Sequence, residues 1–207
     1  MLLEARPNLI AGINYNLHFY YCFAIIAATN YYQKGQTMNS QQIKDSYFND
    51  FFKYMVHSGR FAQTKQFIQH GDTTVYSHCV AVAYVSLWFS YRLHLSVSRQ
   101  SLLMGAFLHD YFLYDWHEKD PSHRLHGFTH PRRALINASA DWNLTPCTQN
   151  IILRHMFPLT PVPPTCREAW LVCLADKACA LAETFHMSEQ FFAGIHYPYD
   201  IKNPKPW

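Results

Sequence analysis

An all-α domain is the fold class this sequence predicts, and three observations predict it. Apolar side chains recur at helical spacing in the segments after Met38. Ser or Thr stands before most apolar runs, and Gly or Pro closes them. No run alternates as a strand would, and no internal repeat is present. The composition supports one core: of 207 residues 49% are apolar and 16% aromatic, against 15% charged. That balance excludes intrinsic disorder. Histidine stands out, with 13 beside 14 Asp plus Glu. Eight of the 13 fall between His78 and His155, and that clustering asks for a chemical reason.

The chain divides into residues 1–37, a domain over 38–190 and a Pro-rich irregular tail over 191–207. The first segment holds one carboxylate, Glu4, and the apolar stretch Leu17 to Thr29. Met38-Asn39-Ser40 reads like a natural start, so 1–37 is taken as an extra segment from an over-called start. Ser40 caps a helix to about His57, with Tyr47, Phe51, Tyr54 and Met55 on one face. Gly59 ends it, and a short helix over 60–69 follows before Gly71. Thr73 or Thr74 caps a long apolar helix to about Leu93 that carries His78. Ser98 caps the next, which runs through Leu102, Leu103 and Phe107 to His109 and Asp110. The polar stretch from Trp116 to Thr129, broken by Pro121 and Gly127, reads as a loop. Pro131 suits the first position of a helix through Ala134 and Ala138. Thr145 and Pro146 open another, and the prolines from Pro158 to Pro164 confine it to about His155. Thr165 caps a last long helix through Trp170, Leu174 and Ala178 towards Phe185.

A net charge of +3 with no run of basic residues leaves no footprint for a nucleic-acid polymer. No apolar stretch reaches the roughly 18–20 residues of a membrane span. The six cysteines form no Cys-x-x-Cys pair, and Cys79, Cys173 and Cys179 sit among apolar residues as small core side chains. These features point to a reducing compartment, the cytoplasm. The sequence assigns no oligomeric state.

The chemistry lies in polar side chains on apolar helices. His109 and Asp110 stand together at the end of an apolar run, which is costly unless they are paired or metal-bound. His78 lies inside another apolar helix and Asp176 inside a third (Leu174-Ala175-Asp176-Lys177-Ala178). One such residue is ordinary core polarity. Four, in the order His, His-Asp, Asp, are hard to read as structural filler.

In this pattern the sequence resembles the HD-domain superfamily of metal-dependent phosphohydrolases, over about residues 60 to 186. The resemblance implies a single HD-type helical bundle with the metal site in its centre. His126 and His155 extend the likeness to members with two metals. By that analogy His78, His109 and Asp176 hold the first metal, His126 and His155 the second, and Asp110 bridges. Imidazole and carboxylate ligands suit one or two divalent transition ions, Fe, Mn, Ni or Zn. The nucleotidase-like and cyclic-dinucleotide branches carry Glu or Lys three residues after the doublet, where this chain has Leu113. Neither specific activity is therefore carried over.

The implied reaction is hydrolysis of a small phosphate ester, with nucleotides in range, by a metal-activated water. Asp110 acts at the metals, and Asp115 and His130 are the candidates for protonating the leaving group. Arg132 and Arg133, on the first turn of the Pro131 helix, with Arg154 and Lys177, are the candidates for binding a substrate phosphate. Two other readings use the same ligands: an HD-type di-iron oxygenase, and a non-catalytic metal-bearing regulatory module. No membrane partner is predicted.

Overall fold

A computed structural model describes residues 46–118, 120 and 125–207. The segment 1–37 and the helix start at Ser40 lie outside the described residues. The first described helix, α1 (Ser46–His57), leads into a 3-10 turn (Phe61–Gln66) and two short antiparallel strands, β1 (Ile68–His70) and β2 (Thr73–Thr74). The expected short helix over 60–69 is corrected on this point. Its second half is extended, because the chain reverses at Gly71, whose φ is +57°, and two or three residues suffice for a ribbon.

Helix α2 (Val75–Arg92) is capped by Thr74, whose hydroxyl accepts the Ser77 amide at 3.1 Å. Every residue from Val75 to Ser90 is buried, so α2 is the central helix of the fold. Ser98 caps α3 (Arg99–Leu108), after which His109 is the C-cap residue and Asp110 lies in the following turn. Helix α4 spans His126–Asp141, so the expected loop to Thr129 is corrected as well. Pro131 lies inside α4 rather than at its start, and the helix begins after Leu125 in the left-handed region. Helix α5 (Pro146–Arg154) has the expected Thr145 cap and Pro146 at its first position, with His155 as C-cap. Helix α6 (Arg167–Thr184) starts one residue later than expected, with Cys166 as N-cap.

Central α2 packs against α3 and α6, α5 packs on both of these, and α4 lies on α5. The approach of α3 to α5 depends on Gly105. A Cβ there would stand 2.5 Å from Ile151 Cδ1 and 2.7 Å from Ile151 Cβ. Away from the histidines the core is aromatic. Phe107 lies 5.7 Å from Phe52 and 5.5 Å from Phe61, ring to ring, and Phe61 lies 5.3 Å from Tyr76. Each such buried ring contributes roughly 1.5–3 kcal/mol.

The end of the chain is more ordered than its prolines suggest. A seventh helix, α7 (Ser188–Gly194), crosses the expected 190/191 boundary. Beyond it, Tyr199 packs on Phe48 and Phe52, and its ring stacks on Trp207. The Lys202 carbonyl accepts the Ser77 hydroxyl at 2.7 Å, one residue from His78. Among the described residues, no helix is long and apolar enough to cross a membrane.

Candidate metal centre

Four imidazoles and two carboxylates converge where the ends of α3 and α5 meet α2, α4 and α6. His78 comes from α2, His109 and Asp110 from the end of α3, His130 from α4, His155 from the end of α5 and Asp176 from α6. All six are buried. Asp110 divides them into two groups. Its Oδ2 faces His78 Nε2 at 3.9 Å and His109 Nε2 at 3.5 Å. Its Oδ1 faces His130 Nε2 at 3.0 Å and His155 Nε2 at 3.4 Å. Asp176 Oδ1 adds to the first group, 3.1 Å from His78 Nε2 and 3.6 Å from His109 Nε2.

Each imidazole is aimed by its other nitrogen. Nδ1 of His109 lies 2.7 Å from the Ala106 carbonyl, that of His130 2.9 Å from the His126 carbonyl, and that of His155 2.8 Å from the Ile152 carbonyl. A carbonyl only accepts, so these three Nδ1 atoms donate, and in the neutral ring Nε2 then presents its lone pair to the cluster. His78 Nδ1 donates instead to the Glu183 carboxylate, at 2.9 Å. Carbonyl or carboxylate partners of this kind orient metal-ligating histidines.

The arrangement asks for a cation. His130 Nε2 and His155 Nε2 stand 2.8 Å apart, lone pair towards lone pair in their neutral forms. His109 Nε2 and Asp110 Oδ1 are buried and make no hydrogen bond. Two ligand groups, His78–His109–Asp110 and Asp110–His130–His155, each bring their donor atoms within 4.8 Å of one another. The nitrogen and oxygen donors fit a divalent transition metal in each.

The electrostatics of the cluster favour positive charge beside its two carboxylates. Burial opposes ionisation of Asp110, but His109 and His130 beside it prevail and hold its carboxyl well below the ordinary range. Asp176 is likewise held low against burial, by His109 and His78. Burial works against a proton on His78, yet the Glu183 and Asp176 carboxylates hold its pKa well above the ordinary value. His155 is pushed down to about 4, chiefly by burial, which favours its neutral form.

The structure revises the expected assignments at several positions. His130, not His126, brings its Nε2 to Asp110 and His155. His126 lies one turn earlier on α4, with Nδ1 2.8 Å from the Tyr114 hydroxyl and its ring stacked on His130 at 4.6 Å. Reading 126–129 as a loop hid this, since residues four apart share a face only on a helix. Both ring nitrogens of His130 are occupied, Nδ1 by the His126 carbonyl and Nε2 by the cluster. Asp115 stands outside the ligand cluster and accepts the His117 amide at 2.9 Å in a local turn.

Of the four expected phosphate binders, Lys177 stands beside the cluster, its Nζ 3.8 Å from Asp176 Oδ2. Its Nζ donates to the His155 carbonyl at 2.7 Å and caps the end of α5. Because α4 begins at His126, Arg132 and Arg133 lie in its second turn rather than at its N-terminus. Arg132 is exposed, and Arg133 stands over the Tyr114 ring at 5.0 Å. Arg154 is half-buried in the last turn of α5.

Two residues that sequence reasoning missed touch the ligands. Gln69, on β1, donates its amide to Asp110 Oδ2, and its buried Oε1 has no hydrogen-bond partner. Glu183 lies seven residues, two helical turns, after Asp176, a spacing that puts both on one face of α6. That spacing was the available signal for Glu183; Gln69 had none, since a two-stranded ribbon this short has no sequence signature.

The family model for the HD domain matches residues 75–181, the stretch that contains all six converging side chains. No curated protein and no solved structure matches the chain.

Proposed function

Because the chain belongs to the HD-domain family, we propose that it is a metal-dependent phosphohydrolase acting on a small phosphate ester, nucleotides included. The observation that carries this reading is the Asp110 carboxylate, with one oxygen towards each of two histidine groups. The ligands proposed are His78, His109 and Asp176 on one side, His130 and His155 on the other, and Asp110 between them. When bound, divalent metals in such a site lower the pKa of a coordinated water and offset charge on phosphoryl oxygens.

The protein's own contribution is to fix and surround the ligands. Gln69 holds one oxygen of Asp110 and Glu183 orients His78, so both ligands are set before substrate arrives. The apolar helices around the cluster exclude bulk water, which strengthens every charge interaction inside. Arg133 and Tyr114 are the substrate-side groups we favour. Tyr114 joins Arg133 to His126, and His126 stacks on His130, so this run of contacts leads from the ligands outwards. Arg132 and Arg154 are further candidates for a phosphate, and Asp115 for the leaving-group proton.

The test is metal-reconstituted screening of the full chain against phosphorylated metabolites, with release of inorganic phosphate as the readout. Turnover with Mn, Fe, Ni or Zn that vanishes in folded Asp110→Ala supports the proposal. A fully metallated protein that releases no phosphate from any ester overturns it. If iron reconstitution then gives a mixed-valent spectrum, the oxygenase reading replaces it.

A further inference from the structure

A second cluster of reactive side chains lies apart from the histidines, where α5 and α6 begin. Cys147 is the second residue of α5 and Cys166 is the N-cap of α6. Their Sγ atoms are in contact at 2.6 Å although the residues are 19 apart in sequence. Both are half-buried, whereas Cys79, Cys173 and Cys179 are buried. Glu168 completes the group: its Oε2 lies 3.5 Å from Cys147 Sγ, and its Oε1 accepts the Ser98 amide at 2.7 Å.

We propose that Cys147 and Cys166 are a thiol pair that closes to a disulfide when the protein meets a low-molecular-weight disulfide, tying the start of α5 to the start of α6. Two thiols held in contact by the ends of two packed helices are placed to join. Their partial exposure lets a small oxidant reach them, which the three buried cysteines do not offer. A metal shared by the same residues would need the sulfurs farther apart, since each Zn–S bond is about 2.3 Å long with tetrahedral angles between ligands.

The exchange balances in two steps. Cys166 sulfur, as thiolate, attacks one sulfur of the small disulfide, forming a mixed disulfide and releasing one small thiolate. Cys147 sulfur then attacks Cys166 Sγ, its proton passing to Glu168 Oε2 and on to solvent, and a second small thiolate leaves. The two protein sulfurs lose two electrons in all and the small disulfide gains them.

The cross-link sits away from the metal ligands. Eight residues of helix, about 12 Å, separate Cys147 from His155, and ten, about 15 Å, separate Cys166 from Asp176. It therefore braces the frame and leaves the ligand set intact.

The experiment treats the full chain with oxidised glutathione, alkylates the remaining thiols in denaturant, digests with trypsin and reads masses. Cleavage after Arg133, Arg154 and Arg167 separates the two cysteines, so a linked pair of peptides 134–154 and 155–167 that parts on reduction is the expected result. The oxidised protein should melt roughly 5–10 °C above the reduced one, and Cys166→Ser should abolish both the link and the shift. Separate alkylated or glutathionylated peptides from the folded wild type overturn the proposal. So does a link from Cys147 to any other cysteine, or protection of both thiols by bound zinc without a link.

Discussion

His126 and His130 show how closely a ligand assignment depends on backbone. Both sit on α4 four residues apart, and their rings stack at 4.6 Å, yet only His130 Nε2 reaches Asp110. The His126 backbone carbonyl aims His130, and its side chain bonds Tyr114. Under the two-metal proposal, His130→Ala is expected to remove one metal, whereas His126→Ala keeps both and loses affinity by roughly 10–100-fold, as a residue behind the ligands would. Metal analysis of the two purified variants checks this. Equal stoichiometry in both would contradict the assignment of His130. At this scale the sequence was informative for His78, His109, Asp110, His155 and Asp176, because each polar side chain interrupts an apolar run. It misled at His126 because Pro131 is as compatible with the first turn of a helix as with an interior position that begins after a left-handed residue.

At the scale of elements, two joints hold the ligands in place. The first is the crossing of α3 over α5 at Gly105, whose helices end in His109 and His155, with rings 4.9 Å apart. In Gly105→Ala the new methyl meets Ile151 at 2.5–2.7 Å and forces the helices apart. The expected loss is about 1–3 kcal/mol, measured by urea unfolding, and unchanged stability would refute the close approach. The second joint ties α4 to the segment that follows Asp110. Asn137 Nδ2 donates to the Tyr111 and Phe112 carbonyls at 3.0 and 2.9 Å, and Tyr111 Oη donates to Asp141 at 2.7 Å. Asp141 also pairs with Arg60 Nε at 2.9 Å.

Burial opposes charge on Asp141, but Arg60 and Tyr111 outweigh it and lower its pKa from 3.8. A carboxyl lowered in the folded state contributes stability that is present above its unfolded value and lost as pH falls through the folded one. Asp141→Asn should therefore cost roughly 1–3 kcal/mol near neutrality, a gap that narrows below about pH 4. Denaturation curves across pH test this, and a gap that stays constant with pH would rule out the ionised carboxylate as its source. Caps at Thr74, Ser98 and Thr145 were legible in the sequence because a side-chain oxygen before an apolar run satisfies orphan amides locally. The ribbon at Gln69 and the helix α7 were not, since both are too short to show a period.

For the molecule as a whole, the candidate metal centre is where six buried ionisable side chains meet. Asp110 and Asp176 are buried with four imidazoles, and a bound cation would offset what burial costs them. Metal removal by chelation is expected to lower stability by about 4 kcal/mol relative to protein held at a thousandfold excess over Kd. That corresponds to roughly 10 °C in Tm for a chain of this size. Differential scanning calorimetry with and without chelator reads it, and an unchanged Tm would argue against a metal-bearing core. The six converging residues span 78 to 176, a separation that no local pattern links. Their order was readable only as a whole, and the partners behind them, Gln69 and Glu183, became visible only in three dimensions.

The anchoring of the rings has a consequence for the order of events as the protein assembles. Three of the four imidazoles take their bearing from a carbonyl three or four residues back, so each is pointed by its own stretch of backbone as soon as that stretch coils. His78 takes its bearing from Glu183, 105 residues further on. Three donors are thus aligned within their own helices, and the fourth only when the two helices carrying His78 and Glu183 dock. Tight capture of an ion, if the site takes one as proposed, would therefore depend on that long-range docking.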